Sequence, residues 1–114
     1  MREAIPSERQ RVLDLVLALA GRVSGRRVLD VGADSSALAR GLAQEGAQVE
    51  SVRDLLEPAS PLRGPFDVVT ALDCIDDSKD PEAALRVMGK LLHPRGRVVL
   101  VGEGESLARL NRDL

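Results

Sequence analysis

The stretch Arg27-Val28-Leu29-Asp30-Val31-Gly32-Ala33-Asp34-Ser35-Ser36-Ala37-Leu38 decides the fold. Val28, Leu29 and Val31 are apolar and two of them are β-branched, so the segment opens as a short strand over Arg27 to Val31. Gly32 follows at once, and Asp34, Ser35 and Ser36 then offer helix N-caps ahead of Ala37 and Leu38. A strand that turns tightly into a helix is the building unit of a doubly wound α/β domain, and its turn rims the ligand crevice. Gly32 lets the backbone pass close to a ligand without a Cβ clash. The turn is half equipped, because Asp34 and Ser36 stand where two further glycines are expected.

Outward from this unit the chain alternates. Upstream, Ser7 to Val23 reads as a helix, with Val12, Leu13, Val16, Leu17, Leu19, Ala20 and Val23 on one broad face. Downstream, Asp34 to Gln44 is a second helix, stopped by Gly46, and Ala47 to Val52 is a second strand. Residues 54 to 65 form a loop punctuated by Pro58, Pro61, Gly64 and Pro65. Phe66 to Leu72 is a nearly all-apolar strand and therefore central. Asp80 caps a helix with Pro81 in its first turn, running to Leu92 and ended by His93-Pro94-Arg95-Gly96. Arg97 to Val101 is a fourth strand, and Ser106 to Leu114 reads as a short terminal helix. Strands separated by helices call for parallel pairing and right-handed crossovers.

Composition narrows the partners. At 114 residues the chain is one domain, and 44% hydrophobic with 30% charged residues describes a globular one. Phe66 is the only aromatic residue, which leaves no stacking platform for single-stranded nucleic acid. A formal net charge of −2 supplies no basic field for nucleic acid or an anionic membrane surface. The single Cys74 forms no internal disulfide and fits a reducing compartment. No apolar run reaches membrane-spanning length and no signal-peptide pattern opens the chain, so the expected location is cytoplasmic.

Three segments together resemble the class I S-adenosylmethionine-dependent methyltransferases. Val28-Leu29-Asp30-Val31-Gly32-Ala33 resembles that family's first motif. Phe66-Asp67-Val68-Val69-Thr70-Ala71-Leu72 resembles its fourth strand. Asp80-Pro81-Glu82-Ala83-Ala84-Leu85, followed by Leu91 to Val101, resembles the next helix and strand. The resemblance implies a three-layer α/β/α Rossmann-like domain with a four-stranded, mainly parallel sheet in the order 2-1-3-4. Residues 7–23 would form its N-terminal helix, 27–102 its core and 105–114 a C-terminal helix or tail. It also implies S-adenosylmethionine as cofactor, contacted by Asp30, Gly32, Ala33, Asp34, Arg53, Asp54, Leu72 and Asp73. The chain departs from the family at several points. Asp34 and Ser36 replace motif glycines, and Arg53 takes the register of an acidic residue that binds the ribose hydroxyls, with Asp54 one position later. The family's third strand and its helix are missing between Val52 and Phe66, so the domain reads as truncated and degenerate.

Two readings follow. One is a small methyltransferase, for which proximity and alignment do most of the chemistry and no catalytic side chain is assigned. The other is a non-catalytic module of the same fold that binds a partner protein or a second copy. Asp34 favours the second, because its charge would sit near the cofactor's carboxylate, a repulsion of about 1 kcal/mol at 4 Å in water and several-fold more when partly buried. In a four-stranded sheet the strand Arg97 to Val101 would be a bare apolar edge, so that edge or the N-terminal helix is the expected interface. An engineered fragment of a larger fold is a third reading. The acidic cluster Asp73, Asp76, Asp77 and Asp80 lacks calcium-loop spacing, and no metal is expected. Cys74 has no histidine in reach, since His93 follows a helix that leads away from the crevice.

Overall fold

Strand β1 (Arg27–Val31) lies between β2 (Gln48–Val52) and β3 (Phe66–Leu72) in the computed structural model, which describes residues 8–32, 36–56, 61–72, 80–101 and 107–111. Next to β3 comes β4 (Leu92–Val101), and next to β4 comes β5 (Leu107–Asn111), giving the order β2-β1-β3-β4-β5. The first four strands are parallel, in the expected order 2-1-3-4. Helices α1 (Glu8–Ala20) and α2 (Ser36–Gln44) cover one face, and α3 (Pro81–Leu91) covers the other. These are the three layers of a Rossmann-like domain.

The faces follow from strand alternation. Val28 and Val68 point toward α1 and α2, where they meet Val16, Ala20, Leu38, Leu42 and Val99. Leu29, Val31, Val69 and Val98 point the other way, onto Ala84 and Met88 of α3. The connection after β2 contributes Leu55 and Leu62 to the same α3-side cluster, filling part of that layer.

Local chemistry sets the element ends. Asp80 Oδ1 accepts the Ala83 N–H at 3.0 Å, with Pro81 at the first helical position and Lys90 in the last turn. Asp80→Ala is expected to lower stability by about 1 kcal/mol, read as a shift of the urea midpoint with unchanged slope. Helix α1 has no basic residue in its last turn, and Arg97 of β4 supplies one from outside. Its guanidinium donates to the Leu19 carbonyl at 2.8 Å, at the negative end of the helix dipole. Arg27 joins the starts of β1 and β3. Its backbone N–H donates to Asp67 Oδ2 at 2.9 Å, and its guanidinium donates to the carbonyls of Arg63 (2.8 Å) and Pro65 (3.0 Å). The same guanidinium lies 4.4 Å from the centre of the Phe66 ring.

Three expectations are corrected. Residues 107–111, read as a terminal helix, pair antiparallel with β4 from Val101↔Leu107 to Arg97↔Asn111. Long-range hydrogen bonds along a strand edge outweigh a weak local helical pattern. In consequence β4 is an inner strand rather than the bare edge expected of it. Helix α1 itself packs at Val16 and Ala20 against α2 and the sheet and leaves Leu15 exposed. Finally, the strand after α3 begins at Leu92 instead of Arg97. Between Phe66↔Leu92 and Val68↔Arg97, β4 advances five residues while β3 advances two. The His93-Pro94-Arg95-Gly96 stretch is that irregularity, read from sequence as a plain helix stop.

Candidate functional site

The carboxyl ends of β1, β2 and β3 lie side by side, with Val31↔Val52 and Val31↔Ala71 in register. In a doubly wound sheet this is the crevice position. Gly32 leaves β1 with φ at 138°, a region that side chains rarely adopt, and its N–H donates to the Val52 carbonyl at 2.9 Å. The turn is therefore anchored on β2 while presenting backbone without a Cβ.

Beneath it lie Asp30 and Thr70, the two buried polar residues among the described residues, at 0% and 1% exposure. They are register partners on adjacent strands, and Thr70 Oγ1 donates to Asp30 Oδ1 at 2.6 Å. A buried carboxylate needs such partners, because removing it from water without them costs several kcal/mol or more. Thr70 carries no role in the sequence reading. Its only sequence signal is that it interrupts the apolar run of Phe66 to Leu72.

At the end of β2, Arg53 and Asp54 are both exposed. Asp54 Oδ1 accepts the Leu56 N–H at 3.0 Å and closes a local turn, while Leu55 between them is buried. The Arg53 side chain is exposed to solvent beside it. Leu72 ends β3 at the same rim. Ala33, Asp34, Asp73, Cys74, Asp76 and Asp77 lie outside the described residues, and the fourth member of that acidic cluster, Asp80, is the α3 cap. Among the described residues no cluster of three metal-ligating side chains occurs, and no helix is long and apolar enough to cross a membrane. His93 sits at the start of β4, at the opposite end of the strands from Gly32, and its Nδ1 accepts the Arg95 N–H at 3.0 Å. A hollow of about 330 Å³, lined by Leu17, Gly21, Arg22, Val23, Ser24 and Glu45, also lies at that strand-start end.

Residues 4–112 match the family model of the methyltransferase domain. The chain belongs to that family, and its fold is that of the class I S-adenosylmethionine-dependent methyltransferases. Among curated proteins it is similar to the ubiquinone biosynthesis O-methyltransferase of Sodalis glossinidius, 29% identical over 111 residues, covering 75% of this chain and 45% of the relative. The protein of the same name from Escherichia coli O7:K1 is 30% identical over 111 residues, with 75% and 46% covered. The chain thus spans a little under half the length of these relatives. Among solved structures, a coclaurine N-methyltransferase bound to N-methylheliamine and S-adenosylhomocysteine superposes with a TM-score of 0.68 at 17% identity, over 88% of this chain and 38% of its own. The 4+2 cyclase SpnF superposes at 0.66 and 21% identity, over 79% and 43%. The last two likenesses concern the fold.

Proposed function

We propose that this chain is an S-adenosylmethionine-dependent methyltransferase domain whose grip on the cofactor is weakened at the rim. One observation carries the reading: a Cβ-free turn at Gly32, anchored on β2, stands over a buried and hydrogen-bonded carboxylate at the crevice end of the sheet. A turn of this shape fits a ligand that lies along the strand ends. The Gly32 backbone, Asp54 and Leu72 are the residues that would hold it. The cofactor supplies a sulfonium methyl group, and the domain's task is alignment with the acceptor and exclusion of water. The names of the curated relatives point to oxygen as the acceptor atom.

The weakening resides in Arg53 and Asp34. A guanidinium donates only, so at Arg53 the ribose hydroxyls lose the acceptor pair that a carboxylate provides. Asp34 follows Gly32 by two positions in the sequence, where the family motif it resembles carries glycine, and a negative charge there would oppose the cofactor's own carboxylate. Calorimetric titration with S-adenosylhomocysteine is expected to show saturable binding in the tens of micromolar, about −6 kcal/mol. Arg53→Asp and Asp34→Gly should each tighten it several-fold. Absence of binding in the wild type and in both variants would overturn the reading.

That outcome would favour the second reading, a non-catalytic module of the same fold that acts through a protein partner or a second copy. The 4+2 cyclase SpnF shares the fold under another name, and fold does not dictate chemistry.

A further inference from the structure

We infer that Thr70 is a positioning residue: its hydroxyl fixes the Asp30 carboxylate so that the Gly32 turn keeps its binding shape. The inference rests on the cofactor reading above for its link to binding, and on geometry alone for its link to the turn.

Three observations converge. Thr70 Oγ1 and Asp30 Oδ1 are 2.6 Å apart, the short distance of a hydroxyl donating to a carboxylate. Both side chains are buried on the α2 side of the sheet, the side on which Val28 and Val68, two residues earlier on each strand, pack against Leu38 and Leu42. The pair therefore lies on the sheet face that α1 and α2 cover, two residues before Gly32 on β1. Asp30 is also only two residues from Gly32, whose N–H reaches across to Val52. Rotation of the Asp30 side chain is confined from the β3 side by Thr70, and the backbone that follows is confined from the β2 side.

Packing alone makes a different prediction from positioning. Valine keeps the shape of threonine and loses the donor; serine keeps the donor and loses the methyl group. Ligand-free protein is followed by NMR amide exchange, and S-adenosylhomocysteine is titrated calorimetrically, for the wild type, Thr70→Val, Thr70→Ser and the packing control Val68→Ala. In Thr70→Val, exchange at Gly32 is expected to accelerate about tenfold relative to Leu29, and the ligand to bind about tenfold more weakly. Thr70→Ser should stay within about twofold of the wild type in both readouts. Val68→Ala should lower the melting temperature without a change confined to Gly32. If Thr70→Val does not fold, Thr70→Cys, with a weak donor of similar size, takes its place. The inference is overturned if Gly32 exchange in the valine variant follows that of Leu29, or if serine is as impaired as valine. If the wild type binds no S-adenosylhomocysteine, the cofactor reading falls, and the exchange comparison alone decides the role of Thr70.

Discussion

Phe66→Ala is expected to lower the free energy of unfolding by about 3–5 kcal/mol. Phe66 is the only aromatic residue in the chain and is 0% exposed, so its truncation opens the largest single void the core can suffer. It packs in the α3-side cluster with Val69, Met88, Leu92 and Val98. Its ring also carries the Arg27 guanidinium, which binds the carbonyls of Arg63 and Pro65, so the loss reaches the start of β3 as well as the core. For a domain whose total stability is on the order of 5–15 kcal/mol, a loss of this size removes between about a fifth and the whole of it. Urea unfolding followed by circular dichroism measures it. Phe66→Leu, which conserves most of the volume, should cost under about 1.5 kcal/mol. A Phe66→Ala variant that loses less than about 1 kcal/mol would show that the α3-side cluster is not the principal core.

Gly32→Val is expected to weaken S-adenosylhomocysteine binding by at least about thirtyfold while the protein remains folded. A β-branched residue at φ 138° is a genuine conformational outlier, strained by about 1–3 kcal/mol. The turn must relax away from that angle, which disturbs the Gly32-to-Val52 hydrogen bond, or hold it and place a bulky side chain at the rim. Gly25→Val separates the two effects. Gly25 also has a positive φ, 76°, and a Cβ there meets nothing within 4 Å, but it lies at the strand-start end of β1. Both variants should melt at lower temperature, and only Gly32→Val should lose affinity by calorimetry. Wild-type affinity in Gly32→Val would remove the turn from the site.

The pattern of elements was legible where apolar runs are short and bounded by turn residues. β1 and β3 occupy the expected residues, because Val28 to Val31 and Phe66, Val68, Val69 and Ala71 are buried from both layers and leave no alternative face. α3 begins at its expected cap, because Asp80-Pro81 specifies a helix start by local hydrogen bonding alone. β5 was not legible. Leu107-Ala108-Arg109-Leu110-Asn111 carries a spacing compatible with a helix turn, and only the edge of β4 makes it a strand. The same holds for residues 92–96, where the irregular register against β3 absorbs a sequence that looks like a helix stop.

The candidate site divides in the same way. Asp30 and Gly32 could be read from the strand-turn-helix unit, since their roles depend on neighbours in the chain. Thr70 could not, because its importance arises from a partner 40 residues away on the adjacent strand. Arg53 and Asp54 were placed correctly at the end of β2, yet only the structure shows that Asp54 closes a turn on Leu56 while Arg53 stays exposed.

By itself, then, the amino-acid order determined the succession of strand, turn and helix, the two central strands and the position of the Gly32 turn. These depend on apolar periodicity, capping and backbone freedom, all of which act over a few residues. Tertiary structure alone decided the fifth strand, the loss of β4 as an edge and the pairing of Thr70 with Asp30. Each of these depends on register between strands, which is set by packing and hydrogen bonding between residues far apart in the chain.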